Sequence, residues 1–315
     1  MEAKPVRIGI VGCGRVAENH VEAVKKCPHT VLTAAAGGRR AEEFSRRHGL
    51  TLLSPETICG SELVDAVLVL TPLKTHHEYT RAALRAGKHV LVEKPVSYDE
   101  GEIEDMITLA GERSLVCMPG HSYIYLPELT RMAKTIPSGG IGKPAYAYFS
   151  ETYYMPPDLI GKYEGPEIDV LCHQLYLSLA FFGKPEKAAA FRSSFPKEIL
   201  PTGGPQVAVM MAYPGGTLTH LLVSWAAEDT TSDPWTFKIK ILGTEGGIHF
   251  SRLDYMRWVN GNWEQRYYQE MFDCQMDYFV NRCILGGENP LSTIEDAQTV
   301  CRLHGRIMRA MTEGT

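Results

Sequence analysis

A glycine-rich turn near the start of the chain has the spacing of a dinucleotide-binding loop. Gly12-Cys13-Gly14-Arg15-Val16-Ala17 fits G-x-G-x-x-G/A, follows a strand-like run and opens a helical pattern. The first glycine permits a tight turn, the second lets the backbone approach a pyrophosphate, and Ala17 keeps the helix close to the strand. The helix N-terminus directs its N–H groups at the phosphates. We therefore predict that Gly12, Cys13, Gly14, Arg15 and Val16 bind a nicotinamide dinucleotide; a strand–helix turn without a ligand is the alternative.

The end of the second strand predicts which dinucleotide this loop binds. An NAD site carries Asp or Glu there, because the carboxylate holds the ribose 2′-hydroxyl. Here Thr33-Ala34-Ala35-Ala36 runs into Gly37-Gly38-Arg39-Arg40 without a carboxylate. Small residues leave room for a 2′-phosphate, and two guanidinium groups can bind it bidentately. We predict NADP(H), with Gly37, Arg39 and Arg40 in its site. NAD(H) is the alternative, in which both arginines are solvated residues at a helix start.

The elements that must position this loop alternate between strand and helix through the first third of the chain. Apolar runs predict strands over 6–11, 31–36, 66–70, 89–92 and 115–118. Helical patterns lie between them: one follows the turn at 12–17 and runs to about residue 26, and the others cover 40–49, 75–86 and 100–111. Strands that alternate with helices at this spacing indicate βαβ units and a doubly wound parallel sheet.

The pattern changes after about residue 122. Apolar and polar residues alternate over 145–154, 207–213, 218–225 and 235–242, which predicts strands with one solvated face in an antiparallel sheet. Two helices are expected near 270–285 and 293–311. The predicted fold is an α/β Rossmann domain over 1–122, followed by an α+β domain over 123–315 with an open, mainly antiparallel sheet. The prediction allows the last helix to pack against the first domain.

The composition argues against several other kinds of protein. The chain has 315 residues, of which 44% are hydrophobic and 22% charged, as in globular proteins. Its 32 basic and 37 acidic residues offer no excess positive charge for a nucleic-acid partner. No apolar stretch approaches the ~20 residues that span a bilayer, and residues 1–7 lack the apolar region of a signal peptide. The eight cysteines form no C-x-x-C pair, so we expect no metal site and a reducing cytoplasm.

Four segments resemble the glucose–fructose oxidoreductase / inositol 2-dehydrogenase (Gfo/Idh/MocA) family. They are GIVGCGRVAENH at 9–20, TPLKTHHEYTRAALRAGKHVLVEKPVS at 71–97, DVLCH at 169–173 and ILGTEGGI at 241–248. The most specific piece is the Glu93-Lys94-Pro95 core of the second segment. The resemblance implies a Rossmann domain, an open-faced sheet domain and a reactive centre between them. It also implies a pyridine nucleotide and, usually, a sugar, cyclitol or similar polyol as substrate.

Individual residues match the family's functional positions. Lys94 matches the catalytic lysine, and Asp169 and His173 match the D-x-x-x-H pair. The resemblance implies that Pro95 shapes the backbone beside the nicotinamide, where an X-Pro bond permits a cis peptide. It places Glu93, Lys94 and Pro95 at the cofactor site, and it implies that the segment carrying Thr71, Pro72 and His76 lines the cofactor. Three positions depart from the family pattern: Tyr176 stands where an acid is frequent, Leu171 where a glycine is frequent, and Ile124 where an arginine is frequent.

These residue types suit the oxidation of a secondary alcohol, in which a hydride leaves carbon and a proton leaves the hydroxyl. The pKa of an unperturbed histidine is ~6.5, which suits an acid–base role for His173. Asp169 lies four residues earlier, and on a continuous helix the two would share a face. Asp169 can bind a neighbouring substrate hydroxyl or polarise the imidazole, and we assign it the orienting role. Lys94, at the carboxyl edge of the sheet, donates to the reacting oxygen and relays a proton. A solvated lysine and a surface Asp–His pair are the alternatives.

The predicted function is an NADP(H)-dependent oxidoreductase that transfers a hydride between nicotinamide and a secondary alcohol or ketone of a sugar, cyclitol or related polyol. One alternative keeps the nucleotide bound for epimerisation, elimination or glycoside cleavage, and another is a non-catalytic nucleotide sensor. Loops over 155–167 and 227–234 are expected to read hydroxyl stereochemistry. Tyrosines at 146, 148, 153 and 154 cover a sheet face or stack on a sugar. The resemblance implies a homodimer or homotetramer through the open sheet.

Overall fold

Two compact units make up the chain in the computed structural model, which describes residues 4–227, 237–252, 257–259, 262–264 and 268–313. The first unit comprises residues 1–126 and 269–301, and the second comprises 127–268 and 302–315. The assignment of cofactor binding to 1–122 and of substrate binding to 123–315 stays a prediction.

A six-stranded parallel sheet forms the centre of the first unit, with strand order β3-β2-β1-β4-β5-β6. Its strands are β1 (Val6–Val11), β2 (Thr30–Ala36), β3 (Thr51–Leu53), β4 (Ala66–Val69), β5 (His89–Val92) and β6 (Cys117–Pro119). The helices between them are α1 (Arg15–Lys26), α2 (Ala41–His48), α3 (Pro55–Gly60), α4 (His76–Arg85) and α5 (Glu100–Glu112). The strand order reverses direction at β1, and ligands of such sheets bind where the order reverses, beyond the carboxyl ends of the strands.

Continuous apolar runs explain why the strands of this sheet lie in the interior. All four residues of β4 are buried, as expected for a parallel strand covered by helices on both faces. Apolar side chains of α3, α4 and α5 pack on these strands, joined by Ile294, Ala297 and Cys301 from near the end of the chain. The predicted Rossmann fold of this unit is confirmed.

The second unit is built on a mixed, mostly antiparallel sheet with strand order β12-β11-β7-β10-β9-β8. In chain order its elements are α6 (Pro127–Thr135), β7 (Pro144–Thr152), α7 (Pro157–Ile160), α8 (Pro166–Asp169), α9 (Leu171–Phe182), β8 (Lys187–Ser193), β9 (Gln206–Ala212), β10 (Leu218–Ser224), β11 (Phe237–Gly243) and β12 (Gly247–Arg252). Only the β7–β10 pair of this sheet is parallel. The predicted fold class is therefore confirmed; Trp235 and Thr236 of the expected strand lie outside the described residues.

Alternating burial orients the second sheet. Ala147 and Phe149 of β7 are buried, and the Phe149 ring stacks on Phe181 of α9 at a centroid distance of 6.1 Å. Residues on the opposite face, such as Tyr146 and Met210, are exposed. One face of the sheet thus packs on α9, and the other carries exposed apolar side chains.

Short elements complete the described chain. A hairpin of β13 (Arg257–Val259) and β14 (Asn262–Glu264) precedes α10 (Tyr268–Asp277), a π-helix over Tyr278–Ile284 and α11 (Ile294–Glu313). The helix expected over 270–285 is thus α-helical only as far as Asp277. Within the described residues, no helix combines the length and apolar character needed to cross a membrane.

Candidate functional site

The turn after β1 is tied to the end of β2 by backbone hydrogen bonds. The Gly12 N–H donates to the Ala36 carbonyl at 2.8 Å, and the Cys13 N–H donates to the Gly37 carbonyl at 3.0 Å. Gly12 has φ +107°, and a Cβ there would lie 2.6 Å from the Leu70 carbonyl. Only glycine meets both conditions without strain. The structure therefore brings the predicted residues Gly12, Cys13 and Gly37 together.

Gly14 opens helix α1 and leaves space in front of it. It is the N-cap residue, with φ −83° and no side-chain capping hydrogen bond. A Cβ on Gly14 would meet no atom within 4 Å. Arg15 is exposed and Val16 half-buried in the first turn. Because the first N–H groups of a helix lack partners within it, this end of α1 offers donors and a partial positive charge to an anion. The loop thus fits the phosphates of a dinucleotide.

Cys13 lies inside this loop as a neutral thiol. Its Sγ donates to the Ala36 carbonyl at 3.6 Å, and its side chain is buried. Burial raises the pKa of this thiol to about 11, although the Ala36 contact and the charge of Arg40 act in the opposite direction. The residue therefore brings no negative charge to the loop at neutral pH.

The turn after β2 carries two exposed arginines. Gly37 and Gly38 have φ of +74° and +94°, and they lead into Arg39 and Arg40 just before α2. Neither guanidinium forms an ion pair with any residue in the described parts of the chain. Since Arg40 lies close enough to lower the pKa of Cys13, its charge reaches the glycine loop. The turn that hydrogen-bonds to the glycine loop therefore ends in two exposed cationic side chains.

His76 joins the turns that follow β4 and β5. Its Nε2 lies 2.7 Å from the Thr71 carbonyl oxygen, and its Nδ1 lies 2.9 Å from the Pro95 carbonyl oxygen. The residue is 2% exposed. Carbonyl oxygens only accept hydrogen bonds, so a neutral ring donates to one of them and an imidazolium to both. His76 therefore links the turn that carries Thr71 and Pro72 to the turn that carries Pro95.

Lys94 directly follows the strand end of β5. The residue is half-buried, its N–H donates to Glu93 Oε2 at 2.9 Å, and its peptide bond to Pro95 is cis. A Cβ on Gly120 would lie 2.9 Å from Glu93 Cα, so the residue after β6 packs tightly against this turn. The Glu93 carboxylate and the backbone at Gly120 therefore fix the turn that carries the predicted catalytic lysine. This turn lies at the same sheet edge as the glycine loop.

Asp169 and His173 of the second unit do not lie on one continuous helix, contrary to the expectation. Asp169 ends α8, Val170 has φ −118°, and His173 belongs to α9. Asp169 Oδ2 accepts hydrogen bonds from the N–H groups of Glu164 and Gly165, at 3.0 and 3.2 Å. One carboxylate oxygen therefore closes the turn before α8.

The imidazole of His173 contacts a neighbouring phenol that sequence reasoning did not assign to the site. His173 Nδ1 lies 2.9 Å from the Tyr176 hydroxyl oxygen, and both residues are buried. Residues three apart on a helix are neighbours, so the spacing within α9 was the available signal. Lys94 belongs to the first unit, whereas Asp169 and His173 belong to the second. That the three residues act on one substrate stays a prediction.

The two loops expected to read the substrate are only partly described. Residues 157–160 of the first loop form α7, and residues 166 and 167 begin α8. Residues 228–234 of the second loop lie outside the described residues.

Comparison with known proteins places both parts of the chain in one family. Residues 6–121 match the family model described as the oxidoreductase family, NAD-binding Rossmann fold, of the Gfo/Idh/MocA group. Residues 129–249 match the Gfo/Idh/MocA C-terminal domain. Together the two matches cover well over half of the chain.

Curated relatives match over about half of their length. The chain is 34% identical over 159 residues to dTDP-3,4-didehydro-2,6-dideoxy-alpha-D-glucose 3-reductase of Actinomadura kijaniata, covering 49% of this chain and 47% of that protein. It is 31% identical over 166 residues to 1,5-anhydro-D-fructose reductase of Ensifer adhaerens, covering 51% and 50%. The chain thus spans about half the length of these relatives.

A solved structure matches the fold over the whole chain. It is scyllo-inositol dehydrogenase from Lactobacillus casei with bound NAD(H) and scyllo-inositol, with a TM-score of 0.82. The match covers 99% of this chain and 98% of that one at 19% sequence identity. At that identity the likeness establishes a shared fold.

Proposed function

Because the chain belongs to the Gfo/Idh/MocA family of oxidoreductases, we propose that it is an NADP(H)-dependent oxidoreductase acting on a secondary alcohol or ketone of a sugar, cyclitol or related polyol. The observation that carries this proposal is the shared position of Lys94 and the open glycine loop at the carboxyl edge of one sheet. A nicotinamide bound there supplies or accepts the hydride, while the protein supplies position and a proton. The named relatives that reduce sugars support the substrate class.

The preference for NADP(H) rests on the turn after β2. No Asp or Glu occupies positions 33–40, whereas Arg39 and Arg40 are exposed beside the loop. A carboxylate would repel a 2′-phosphate, and guanidinium groups bind phosphate oxygens through strong charge-assisted hydrogen bonds. Both differences favour the phosphorylated nucleotide.

Three side chains divide the chemistry in this proposal. His173 takes the hydroxyl proton during oxidation and returns it during reduction. The Lys94 ammonium donates to the reacting oxygen, which stabilises negative charge as it develops. Asp169, whose Oδ2 accepts the N–H groups of Glu164 and Gly165, orients a substrate hydroxyl. The proposal requires Lys94 of the first unit to serve the same substrate as the two residues of the second.

The exposed face of the second sheet supports the proposal of a homo-oligomer. Its large apolar side chains are Tyr146 at 38% exposure, Phe191 at 74%, Met210 at 41%, Leu218 at 45% and Leu242 at 44%. Contiguous exposed apolar surface is typical of association sites. We propose that the chain forms a homodimer or homotetramer through this face. We also propose that the protein works in a reducing cytoplasm. Analytical ultracentrifugation of the wild type and of Phe191→Ser tests the interface. We expect an oligomeric mass for the wild type and a smaller mass for the variant, and a monomeric mass for the wild type would reject the interface.

A polyol panel tests the proposed activity. Purified protein is incubated with NADP⁺ or NAD⁺ and a set of sugars and cyclitols while absorbance of the reduced nicotinamide is followed. We expect turnover with at least one polyol, and a loss of about 100-fold or more in kcat for Lys94→Ala with nearly unchanged NADPH binding. Lys25→Ala, at an exposed ion pair on α1, is the matched control. Full turnover by Lys94→Ala would contradict the assigned role.

A co-purifying nucleotide without net reduction would favour epimerisation, elimination or glycoside cleavage, and binding without any reaction would favour a sensor.

A further inference from the structure

The imidazole of His173 contacts a phenol that is buried with it on helix α9. His173 Nδ1 and the Tyr176 hydroxyl oxygen lie 2.9 Å apart, and the two rings meet edge to face at a centroid distance of 5.6 Å. His173 is 6% exposed and Tyr176 is 1% exposed. A hydrogen bond in such a buried setting constrains both the ring orientation and the position of its proton.

The rest of α9 holds this pair in place. Leu175 and Leu177 of the same helix are fully buried, and Gln174 donates to the Leu222 carbonyl of β10 at 3.0 Å. Because α9 packs along the second sheet, Tyr176 has little freedom to move its hydroxyl away from His173. The contact is thus a built feature of the helix rather than a surface encounter.

The chemistry of an acid–base histidine selects one arrangement of this hydrogen bond. A neutral imidazole carries a hydrogen on one nitrogen and a lone pair on the other. If the phenol donated to Nδ1, the ring hydrogen would sit on Nε2, and Nε2 could not accept a substrate proton. If Nδ1–H donates to the phenol oxygen, Nε2 presents its lone pair. Protonation at Nε2 then leaves the Nδ1–H···O contact unchanged.

Resting on the proposed role of His173 as acid and base, we propose that Tyr176 is a positioning residue that holds His173 in the Nδ1–H tautomer. The phenol oxygen accepts from Nδ1–H, and Nε2 exchanges the proton with the substrate oxygen. Tyr176 stands where the resembled family often carries an acid. A phenol oxygen supplies the same acceptor without a carboxylate's negative charge. In this chain a neutral group therefore orients the ring.

Nitrogen NMR of the full-length protein tests the tautomer directly and without any turnover. The protein is labelled with ¹⁵N-histidine, and the His173 ring signals are assigned by their loss in His173→Ala. We expect the wild type to show a protonated Nδ1 and an unprotonated Nε2. Tyr176→Phe keeps the ring and its packing but removes the oxygen, so we expect the Nε2–H tautomer to appear.

Tyr213→Phe is the matched control, because Tyr213 is another buried tyrosine that contacts Phe182 of α9. We expect its His173 signals to equal those of the wild type. A wild type with Nε2–H, or identical His173 signals in the wild type and in a folded Tyr176→Phe, would overturn the proposal. Thermal unfolding of both variants verifies that they are folded.

Kinetics separate this inference from the proposed function. For Tyr176→Phe we expect kcat to fall about 10-fold to 100-fold, with the substrate KM within about threefold of the wild type. Undiminished kcat in that variant would reject the positioning role and leave the proposed activity standing. Absence of turnover in the wild type would reject the proposed activity, while the NMR result still decides the tautomer.

Discussion

The buried imidazole of His20 and the carboxylate of Glu93 lie 3.2 Å apart, from Nε2 to Oε1. His20 is fully buried in α1 and meets the ring of Phe272 edge to face. The other oxygen of Glu93 accepts the N–H of Lys94. Helix α1, which carries the glycine loop at its start, is thus connected through one carboxylate to the backbone of the proposed catalytic lysine.

This connection predicts that the charge of Glu93 matters for catalysis. Burial raises the pKa of the Glu93 carboxyl, but the His20 hydrogen bond, the charges of His20 and Lys94 and the Lys94 N–H outweigh it, so the pKa lies below its usual range. Glu93→Gln keeps the volume and removes the charge. We expect a loss in kcat of about 10-fold to 100-fold, with NADPH affinity within about threefold. Steady-state kinetics and calorimetry measure both. Glu112→Gln, exposed at the end of α5, is the control. Equal kcat in both variants would contradict the role.

The same carboxylate predicts a contribution to stability in acid. A depressed pKa in the folded state stabilises the fold above the unfolded value of ~4.3 and loses this contribution as the pH falls below it. The free energy of unfolding of Glu93→Gln should therefore fall less steeply than that of the wild type below about pH 4.3. Urea unfolding at pH 5 and pH 3.5 compares the two slopes, and parallel slopes would reject the ionised carboxylate.

His121 predicts a loss of stability at milder acidity. Burial lowers the pKa of its imidazole to about 3, with Glu93 opposing and Lys94 reinforcing the shift, and its Nδ1 lies 2.7 Å from Ser292 Oγ. The unfolded chain takes up a proton near pH 6.5, but the folded state does not. Stability is therefore complete above pH ~6.5 and falls by up to about 1.4 kcal/mol per pH unit below it.

Unfolding in urea between pH 7.5 and pH 4.5 checks this dependence. His121→Asn should flatten the curve, because asparagine does not titrate and retains polar atoms near Ser292. His249→Gln, at an exposed position on β12, should keep the steep wild-type dependence. A His121→Asn curve as steep as that of the wild type would place the titration elsewhere.

The two glycines of the phosphate loop predict different outcomes for the same substitution. Gly12→Ala introduces a Cβ 2.6 Å from the Leu70 carbonyl at φ +107°, so we expect a lower Tm and a cost of at least about 1–3 kcal/mol. Gly14→Ala meets open space at φ −83°, so we expect stability within about 0.5 kcal/mol of the wild type. If a pyrophosphate occupies that space, Gly14→Ala weakens NADPH binding. Calorimetry and thermal unfolding measure the pair, and normal nucleotide affinity in Gly14→Ala would exclude the assigned phosphate position.

The arginines after β2 predict the cofactor preference. Removing a charge-assisted hydrogen bond to phosphate should weaken NADPH binding by about 10-fold or more in Arg39→Ala/Arg40→Ala. NADH affinity should stay within about threefold, since NADH lacks the 2′-phosphate. Arg85→Ala is the control. Arg85 ends helix α4, and this end of the helix lies at the edge of the sheet opposite the glycine loop. Tighter binding of NADH than of NADPH by the wild type would reject the preference.

The local pattern of the sequence predicted the framework of the first unit closely. Strands β1 and β5 begin and end where expected, because a short, predominantly apolar run between polar or glycine residues indicates a buried strand. The glycine spacing located the loop, because a tight turn with positive φ needs glycine at a defined position. Strand β3, with only three residues, and β8, with the run Ala188-Ala189-Ala190, have too little alternation to signal a strand.

Only the tertiary structure decided which polar groups meet. The hydrogen-bond partners of His20 and His76 include Glu93 and Pro95, which lie 73 and 19 residues away, and no local pattern links them. The break at Val170 also lacked a signal, because no glycine or proline occurs over 167–182. Periodicity reports which face of an element is buried. It does not report which element lies opposite, and side-chain hydrogen bonds depend on that arrangement.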